Sequence, residues 1–298
     1  MDLIHSVAAL RERLQREPNN VFVPTMGNLH EGHIELIRIA KPRAACTVVS
    51  IFVNRLQFGP REDFDRYPRT LPLDSARLKD VGVDVVFAPD EQEIYPEPQT
   101  YVVEPSDLQH ILEGAHRPGH FRGVATVVLK LFNLVRPHSA IFGKKDYQQY
   151  LVLRDMVKQL ALPIEIIPAD TVRAPDGLAL SSRNAYLTAE ERAEAPRLYR
   201  VLREAHQQIV EGARDYQRVE LDAMGELARH GWKPDYVSVR RQADLQPPHD
   251  GESELVVVAA ARLGRTRLID NVEVLRAAGY RAEPELGRVA MSGGGGRS

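Results

Sequence analysis

Short apolar runs alternate with amphipathic segments through the first part of the chain. Runs rich in β-branched and aromatic residues, bounded by glycine, proline or polar residues, predict buried strands. These runs are VFVP at 21–24, ACTVVSIFVN at 45–54, VDVVFAP at 83–89, AIFG at 140–143 and IEIIPA at 164–169. Helical spacing between them predicts helices that begin near His33 and that cover 72–82, 121–137 and 147–162. Alternating strands and helices favour an α/β fold, a Rossmann-like parallel sheet with helices on both faces.

The pattern changes after Asn184. A helix is predicted over 188–213, because Thr188 is followed three residues later by Glu191, which is the signature of a capping box. A second helix at 216–230 is followed by three apolar runs, YVSVRRQADL, ELVVVAAARLG and TRLIDNVEVL. Helices followed by strands indicate a smaller C-terminal α+β domain. We therefore predict domains at 1–184 and 185–290, and a disordered tail at 291–298.

Composition and charge narrow the class of protein. The 298 residues are 43% hydrophobic and 27% charged, and the net charge of −2 implies no broad basic surface. Nucleic acid and anionic membranes are therefore not expected partners. The single cysteine, Cys46, lies in an apolar run and is predicted to be a buried, reduced thiol, which fits the cytoplasm. The N-terminal segment lacks the apolar stretch of a signal peptide, and no run reaches the ~18 apolar residues that span a bilayer.

The stretch VPTMGNLHEGH follows the first predicted strand and combines two glycines with two histidines. His30 and His33 are three residues apart, whereas zinc-protease helices place their histidines four apart, as in H-E-x-x-H. This spacing disfavours zinc, and no third ligand stands nearby in a recognisable pattern. A phosphate-binding turn fits better, because a helix N-terminus offers free N–H groups and partial positive charge. A surface loop with solvated histidines is also compatible with this stretch alone.

Two further polar clusters also follow predicted sheet segments. FGKKDYQQ at 142–149 supplies two lysines, an aspartate and a glutamine, and LSSRN at 180–184 supplies two hydroxyls and an arginine. Each cluster by itself is typical of a solvated corner or turn. Ligands bind at the carboxyl edge of such a sheet, so the three clusters would meet there. Together they indicate a nucleotide triphosphate site with histidines, lysine and arginine around phosphate.

Five segments occur in order along the chain: PTMGNLHEGH, FVNRLQFGPREDFDRYPRT, RPGHFRGVATVV, FGKKDYQQ and DGLALSSRNAYL. They closely resemble the signature segments of the pantothenate synthetase (pantoate–β-alanine ligase) family. The resemblance runs from about residue 21 to residue 184, and the remainder resembles the family's C-terminal domain. The family belongs to a nucleotidyltransferase-like superfamily. By this resemblance, residues 30–33 form its HxGH motif and residues 180–183 its KMSKS-like loop.

The resemblance implies an AMP-forming ligase of pantothenate and coenzyme A biosynthesis. In the family, the carboxylate of (R)-pantoate attacks the α-phosphorus of ATP, giving pantoyl adenylate and pyrophosphate. The amine of β-alanine then displaces AMP to form (R)-pantothenate. ATP is thus a substrate, and Mg²⁺ accompanies its phosphates. The resemblance also implies a homodimer formed through an ATP- and pantoate-binding domain at 1–184, with the C-terminal domain as a lid.

The resemblance places catalytic and nucleotide-binding residues at numbered positions. His33, His30 and Lys145 are predicted to be catalytic, as donors to the charge that develops on the α-phosphate. A histidine at a helix N-terminus tends to stay neutral, and a neutral imidazole still donates through one N–H. Contacts with ATP are predicted for Met26, Gly27, Asn28, Leu29, His30, Glu31, Gly32, His33, Gly143, Lys144, Lys145, Asp146, Val172, Leu180, Ser181, Ser182 and Arg183.

The two smaller substrates are predicted to bind through amide side chains. By resemblance, Gln57 and Gln149 bind pantoate, while Gln57 and Asn54 bind β-alanine. The segment 117–120 is expected to line the same end of the pocket. The metal ligands are not assigned, and Asp74 is considered either as a ligand of Mg²⁺ or as a helix cap.

The chain departs from the family pattern at Asn28, Arg55 and Leu180, where alanine, proline and methionine are usual. Leu180 is apolar and similar in volume to methionine, so we expect little change there. Asn28 and Arg55 remove no reacting group, and we expect them to shift substrate affinity. Two alternatives stay open. One is an enzyme of the same class with another acid or amine, since one pocket side chain can decide a substrate. The other is a nucleotide-binding regulator without turnover, since a fold does not imply a function.

Overall fold

The computed structural model describes residues 1–17, 19–60 and 62–276. The predicted tail at 291–298 and the predicted end of the second domain lie outside the described residues. The strands are β1 (Asp2–Ile4), β2 (Asn20–Thr25), β3 (Cys46–Ile51), β4 (Val85–Phe87), β5 (Ser139–Gly143), β6 (Glu165–Ala169), β7 (Lys233–Arg241), β8 (Glu254–Leu263) and β9 (Thr266–Leu275). The helices are α1 (Val7–Leu14), α2 (Glu31–Ala40), α3 (Leu71–Asp80), α4 (Glu91–Ile94), α5 (Leu112–His116), α6 (His120–Val135), α7 (Tyr147–Gln159), α8 (Ala189–Glu194), α9 (Arg197–Val210) and α10 (Tyr216–Arg229).

A six-stranded parallel sheet organises the first part of the chain. Its strand order is β1-β4-β3-β2-β5-β6, and every neighbouring pair is parallel. The chain leaves β2 towards β3 on one side, while β5 pairs with β2 on the other. The order therefore reverses between β2 and β5, which is the crevice where ligands bind in such sheets. The turns after these two strands carry the HxGH motif and the Lys-Lys-Asp triplet.

Both faces of this sheet are covered. One face packs against α1, α6 and α7 through buried residues such as Leu10, Val128 and Leu151. The opposite face packs against α2 and α3 through Ile37 and Leu78. Strands buried on both faces are expected to be almost continuously apolar, as these are. The predicted fold class, a parallel sheet with helices on both faces, is confirmed.

The C-terminal part forms an antiparallel sheet in the order β7-β8-β9. Helices α9 and α10 cover one face, where Val257 lies among buried leucines of both helices. Its neighbours Val256 and Val258 point the other way, into the apolar core that also contains α6 and α7. Apolar residues follow one another in β8 because alternate side chains are buried on opposite faces.

Some sequence-based assignments differ from the structure. The patterning missed β1 and α1, since a three-residue edge strand is too short to show a period. The single helix predicted over 188–213 is two helices, because Pro196 lacks the N–H that a continuous helix needs. The capping box of Thr188 and Glu191 at its start is present. Cys46 is buried and unpaired, as predicted. Among the described residues, no helix is long and apolar enough to cross a membrane.

Candidate active site

The turn after β2 is shaped by a buried carboxylate. Gly27 has φ +83°, and a Cβ there would lie 3.1 Å from Asp74 Oδ2, so the turn favours glycine. Asp74 is 2% exposed. It accepts hydrogen bonds from the backbone N–H groups of Asn28 at 2.9 Å and Leu29 at 2.8 Å, and from Thr70 Oγ1 at 2.9 Å. Both oxygens of Asp74 thus hold the turn, which argues against the alternative that this carboxylate binds Mg²⁺.

His30 caps α2 and forms a reciprocal pair of hydrogen bonds with its first turn. The N–H of Gly32 donates to His30 Nδ1 at 3.1 Å, and the N–H of His30 donates to His33 Nδ1 at 3.2 Å. This is a capping box in which two imidazoles replace the usual hydroxyl and carboxylate. The helix therefore begins at Glu31, two residues before the predicted start. A Cβ on Gly32 would lie 2.9 Å from the His30 ring, so the glycine makes room for that ring.

Both imidazoles are held neutral. Burial, with smaller contributions from His33 and the charge of Lys145, lowers the pKa of His30 to about 3. Burial and Lys145 also lower the pKa of His33 to about 4. Because each Nδ1 accepts a hydrogen bond, the single ring proton lies on Nε2. The ring centroids are 4.1 Å apart, so two neutral N–H donors lie together at the N-terminus of α2, as expected from the sequence.

The two lysines in the turn after β5 have different ion-pair partners. Among the described residues, Lys145 has only a loose ion pair, with Asp146 Oδ2 at 4.0 Å. Lys144 Nζ instead lies 2.7 Å from Asp170 Oδ1 and 2.7 Å from Glu273 Oε2. The ammonium of Lys145 is therefore available for a phosphate, whereas that of Lys144 is occupied. Only the backbone of Lys144 is therefore available for a contact with ATP.

The KMSKS-like loop lies against the HxGH turn. Ser182 Oγ donates to the carbonyl of Asn28 at 3.2 Å, and Asn28 Nδ2 donates to the carbonyl of Ser182 at 3.5 Å. Ser181 Oγ accepts from the N–H of Arg183 at 3.3 Å. The Arg183 guanidinium donates to the Asp63 carboxylate at 3.1 and 3.3 Å. The asparagine that replaces the usual alanine thus adds a side-chain contact to the loop.

The structure also locates three other predicted ATP contacts, Val172, Leu180 and Glu31. The N–H of Leu180 donates to the carbonyl of Val172 at 3.0 Å, which holds the start of the loop beside the last strand of the parallel sheet. Glu31 is exposed, and its carboxylate pairs with Arg38 on the outside of α2. The Glu31 side chain is therefore turned to solvent, and only its backbone is placed for a ligand.

Two of the predicted substrate amides, Asn54 and Gln57, are bonded to each other and differ in how fully their polar atoms are occupied. Asn54 is 1% exposed. Its Nδ2 donates to Gln57 Oε1 and to the carbonyl of Gly123, both at 3.1 Å, and its Oδ1 accepts from Tyr95 OH at 2.8 Å. With these bonds made, Asn54 orients Gln57, and its contacts do not support direct binding of β-alanine. Gln57 Nε2 lies 3.1 Å from Met26 Sδ, a weak acceptor that a substrate oxygen can displace.

A cavity of about 630 Å³ lies between the carboxyl edge of the parallel sheet and the C-terminal sheet. This volume falls within the ordinary range for small-molecule sites. The sequence-predicted residues that line it are Lys145, Asp146, Gln149, Ser181, Arg183, Arg117 and His120. The histidine pair lies beside it, close enough for Lys145 to lower both pKa values.

An ionic cluster closes the cavity towards the C-terminal sheet. Arg267 Nη1 lies 2.7 Å from both carboxylate oxygens of Glu113, and Arg267 Nε lies 2.6 Å from Asp235 Oδ2. Arg117 donates to Glu62 at 2.7 Å through two nitrogens. Burial raises the pKa of Glu113, but Arg267 and Arg117 outweigh it and keep that pKa below its ordinary value. The sequence analysis missed most of this cluster, because its members come from segments far apart in the chain.

The comparisons with known proteins agree with this geometry. A family profile described as pantoate-beta-alanine ligase matches residues 2–273. The chain belongs to this family. The pantothenate synthetase of Nitrosospira multiformis is 57% identical to it over 274 residues, covering 92% of this chain and 98% of the relative. That of Chromobacterium violaceum is 58% identical over 277 residues, covering 93% and 100%. The predicted family and the predicted ligase class are confirmed.

Solved structures of this family have the same fold. A crystal structure of pantothenate synthetase from Thermus thermophilus superposes with a TM-score of 0.88 at 45% identity, covering 92% of this chain and 100% of that one. A pantoate-beta-alanine ligase from Francisella tularensis, complexed with beta-gamma ATP and beta-alanine, superposes with a TM-score of 0.78 at 35% identity. It covers 91% of this chain and 97% of its own.

Proposed function

We propose that this site condenses (R)-pantoate with β-alanine at the expense of ATP, through a pantoyl adenylate. One observation carries the proposal. The topological reversal between β2 and β5 places two neutral imidazoles at a helix N-terminus beside Lys145, whose ammonium has a loose ion pair. Membership of the pantoate–β-alanine ligase family supports the reaction, and the Francisella tularensis relative with ATP and β-alanine supports two of the three substrates.

In the first step, a carboxylate oxygen of pantoate attacks the α-phosphorus of ATP. The bond between that phosphorus and the bridging oxygen breaks, and pyrophosphate leaves. Negative charge grows on the α-phosphoryl oxygens and on the leaving group, so fixed donors there stabilise the transition state more than the bound substrate. His30 and His33 supply N–H donors without needing a proton of their own to transfer, and Lys145 supplies positive charge. Arg183 and Ser181, which line the cavity, act on the phosphates.

In the second step, the amine of β-alanine attacks the carbonyl carbon of the adenylate. AMP leaves with the electrons of the carbon–oxygen bond, and the extra proton of the attacking amine passes to the leaving AMP phosphate or to water. Gln57 and Gln149 hold pantoate through its hydroxyl and carbonyl groups, with Gln57 also near the amine. Asn54 keeps the Gln57 amide in one orientation through the bond at 3.1 Å. This preorganisation lowers the entropic cost of aligning the pantoyl group with the attacking amine.

Mg²⁺ accompanies the ATP phosphates in this proposal. A nucleotide-bound Mg²⁺ keeps several waters and takes only one or two protein carboxylates, so the protein needs to offer little. Asp146 lines the cavity, and its carboxylate has only the loose pair with Lys145 at 4.0 Å within the described part of the chain. The carboxylates of Asp63, Glu113 and Asp270, by contrast, are bonded to arginines. Asp146 therefore fits a ligand of the ion, which would neutralise charge on the phosphates.

Three broader features belong to the same proposal. The protein works in the cytoplasm, where a lone buried thiol stays reduced. It acts as a homodimer through the domain at 1–184. The domain that begins at 185 closes over the acyl adenylate and shields it from water. Support for closure comes from the cavity itself, which residues of both sheets line.

The proposal is tested by separating the two steps. Mixed with ATP, Mg²⁺ and (R)-pantoate but no β-alanine, the protein should catalyse exchange of labelled pyrophosphate into ATP. Adding β-alanine should then yield AMP and pantothenate in equal amounts. Exchange that does not depend on pantoate would contradict the proposal. A panel of hydroxy acids and amines in the same two assays tells whether a different acid or amine is preferred.

A further inference from the structure

Strand β9 of the C-terminal sheet holds the turn that carries Lys145. Asn271 is 7% exposed. Its Nδ2 donates to the carbonyl of Lys144 at 2.8 Å and to the carbonyl of Lys145 at 3.0 Å. These two carbonyls belong to the two peptide planes that flank the Cα atom of Lys145. A single amide group therefore fixes the backbone on both sides of this residue.

Strand β9 makes further polar contacts on both sides of Asn271. Its N–H donates to Asp270 Oδ1 at 2.7 Å, and Asp270 accepts two hydrogen bonds from Arg173 at 2.6 and 2.9 Å. Two residues further on, Glu273 accepts from Lys144 Nζ at 2.7 Å and from Tyr147 OH at 3.1 Å. Asn271 and Glu273 of β9 thus both contact the short turn that follows β5.

We propose that Asn271 is a positioning residue for the reaction, and that it acts by fixing the Lys145 ammonium beside the α-phosphate. The proposal rests on the function assigned above, in which Lys145 stabilises the adenylation transition state. It also explains why this turn needs an outside partner. The segment Lys144–Asp146 is a short 3-10 turn without a side-chain cap of its own, and such turns have poor hydrogen-bond geometry.

Loss of the Asn271 amide should misplace Lys145 without removing it. A misplacement on the order of 1 Å costs up to about 10²-fold in rate. Asn271→Ala is therefore expected to lower the turnover number of pantoate-dependent pyrophosphate exchange by roughly 10- to 10²-fold, with a smaller change in the KM for ATP. Asn271→Asp keeps the size and removes the donor, so it should behave in the same way.

A double-mutant cycle with Lys145→Ala provides the decisive measurement. If Asn271 acts through Lys145, then Asn271→Ala should have almost no further effect on exchange when Lys145 is already alanine. Independent, multiplying effects of the two substitutions would overturn the proposal. If the unchanged protein lacks pantoate-dependent exchange, the proposed function fails instead, so the two failures are distinguishable.

A second readout does not depend on activity. Hydrogen exchange of the backbone amides at 143–147, followed by mass spectrometry, should become faster in Asn271→Ala. Arg276→Ala is the matched control, because the Arg276 side chain donates to Tyr216 OH and to the carbonyl of Glu252, both within the C-terminal part. That variant should leave exchange at 143–147 and the turnover number unchanged. Unaltered hydrogen exchange in Asn271→Ala would contradict the positioning role.

Discussion

The two sides of the cavity differ in how closely their charged groups are paired. On the parallel-sheet side, His30 and His33 are neutral, and Lys145 has a loose ion pair at 4.0 Å. On the side of the C-terminal sheet, Arg267 is paired with two carboxylates at 2.6–2.7 Å. Glu273 is likewise shared between a lysine and a tyrosine.

Under the proposed function, this difference in pairing distinguishes groups that bind substrate from groups that hold the fold together. A donor that faces phosphate has to be free of internal partners, since a paired cation would first lose its partner before it met the ligand. A cation that holds two parts of the protein together gains from close pairing. Arg183 lies between these cases, because it lines the cavity and yet is bonded to Asp63 at 3.1 Å.

The largest effect is expected from removing a free donor. His33→Ala should lower pantoate-dependent pyrophosphate exchange by about 10²–10³-fold, the scale for losing one donor to a developing charge. His249→Ala is the control, since that side chain is 62% exposed and pairs with Glu252 away from the cavity. Steady-state exchange rates of the two purified variants decide the question. Near-normal turnover in His33→Ala would remove this histidine from the mechanism.

Removal of a paired cation should affect the free energy of unfolding more than the rate of pyrophosphate exchange. Arg267→Met leaves the buried Glu113 without its main partner, and it should lower the free energy of unfolding by about 3 kcal/mol. The matched surface pair is Arg218–Asp222, with side chains 72% and 50% exposed, where Arg218→Ala should cost about 0.5 kcal/mol or less. Urea unfolding measures both. Equal effects for the two variants would show that the buried pair is no different from a surface one.

A smaller effect is expected at the glycine beside the histidines. In Gly32→Ala, the new Cβ would lie 2.9 Å from the His30 ring and push it aside. We expect exchange activity to fall by roughly 10-fold, while the free energy of unfolding changes by about 1 kcal/mol or less. In Gly225→Ala of α10, the Cβ meets only Arg229 at 3.7 Å among the described residues. That control should keep full activity, and similar losses in both variants would refute the steric account.

The smallest expected effect concerns the protonation state of the two histidines. Since burial puts the pKa of His30 at about 3 and of His33 at about 4, folding favours the neutral rings. Their contribution to stability is complete above the ordinary pKa of about 6.5 and is lost as the pH falls from there towards 4. NMR of ¹⁵N-labelled imidazoles, assigned with His30→Gln and His33→Gln, should show both rings neutral between pH 8 and pH 5. A midpoint near 6.5 for either ring would contradict this.

Much of the parallel sheet was predictable, because strands β2 to β6 are short apolar runs bounded by turn or polar residues. The motifs at 30–33, 144–146 and 180–183 are also recognisable in the sequence alone. Their side-chain roles were predicted less well. Lys144 is next to Lys145 in sequence, yet its ammonium pairs with Asp170 and Glu273. Asp74 and Asn54 proved to hold a turn and a glutamine, which depends on partners that patterning does not reveal.

The sequence by itself determined the family, the fold class and the turns that carry the predicted catalytic residues. Those properties depend on local periodicity and on short motifs in a fixed order, which are present in the chain independently of its tertiary structure. Only the tertiary structure decided which groups stay free and which are paired. Burial around residues 30–33 removes the charge of both histidines, and β9 reaches across to fix the Lys145 turn through Asn271. Hydrogen bonds and desolvation of this kind arise between segments more than a hundred residues apart, and so no local pattern records them.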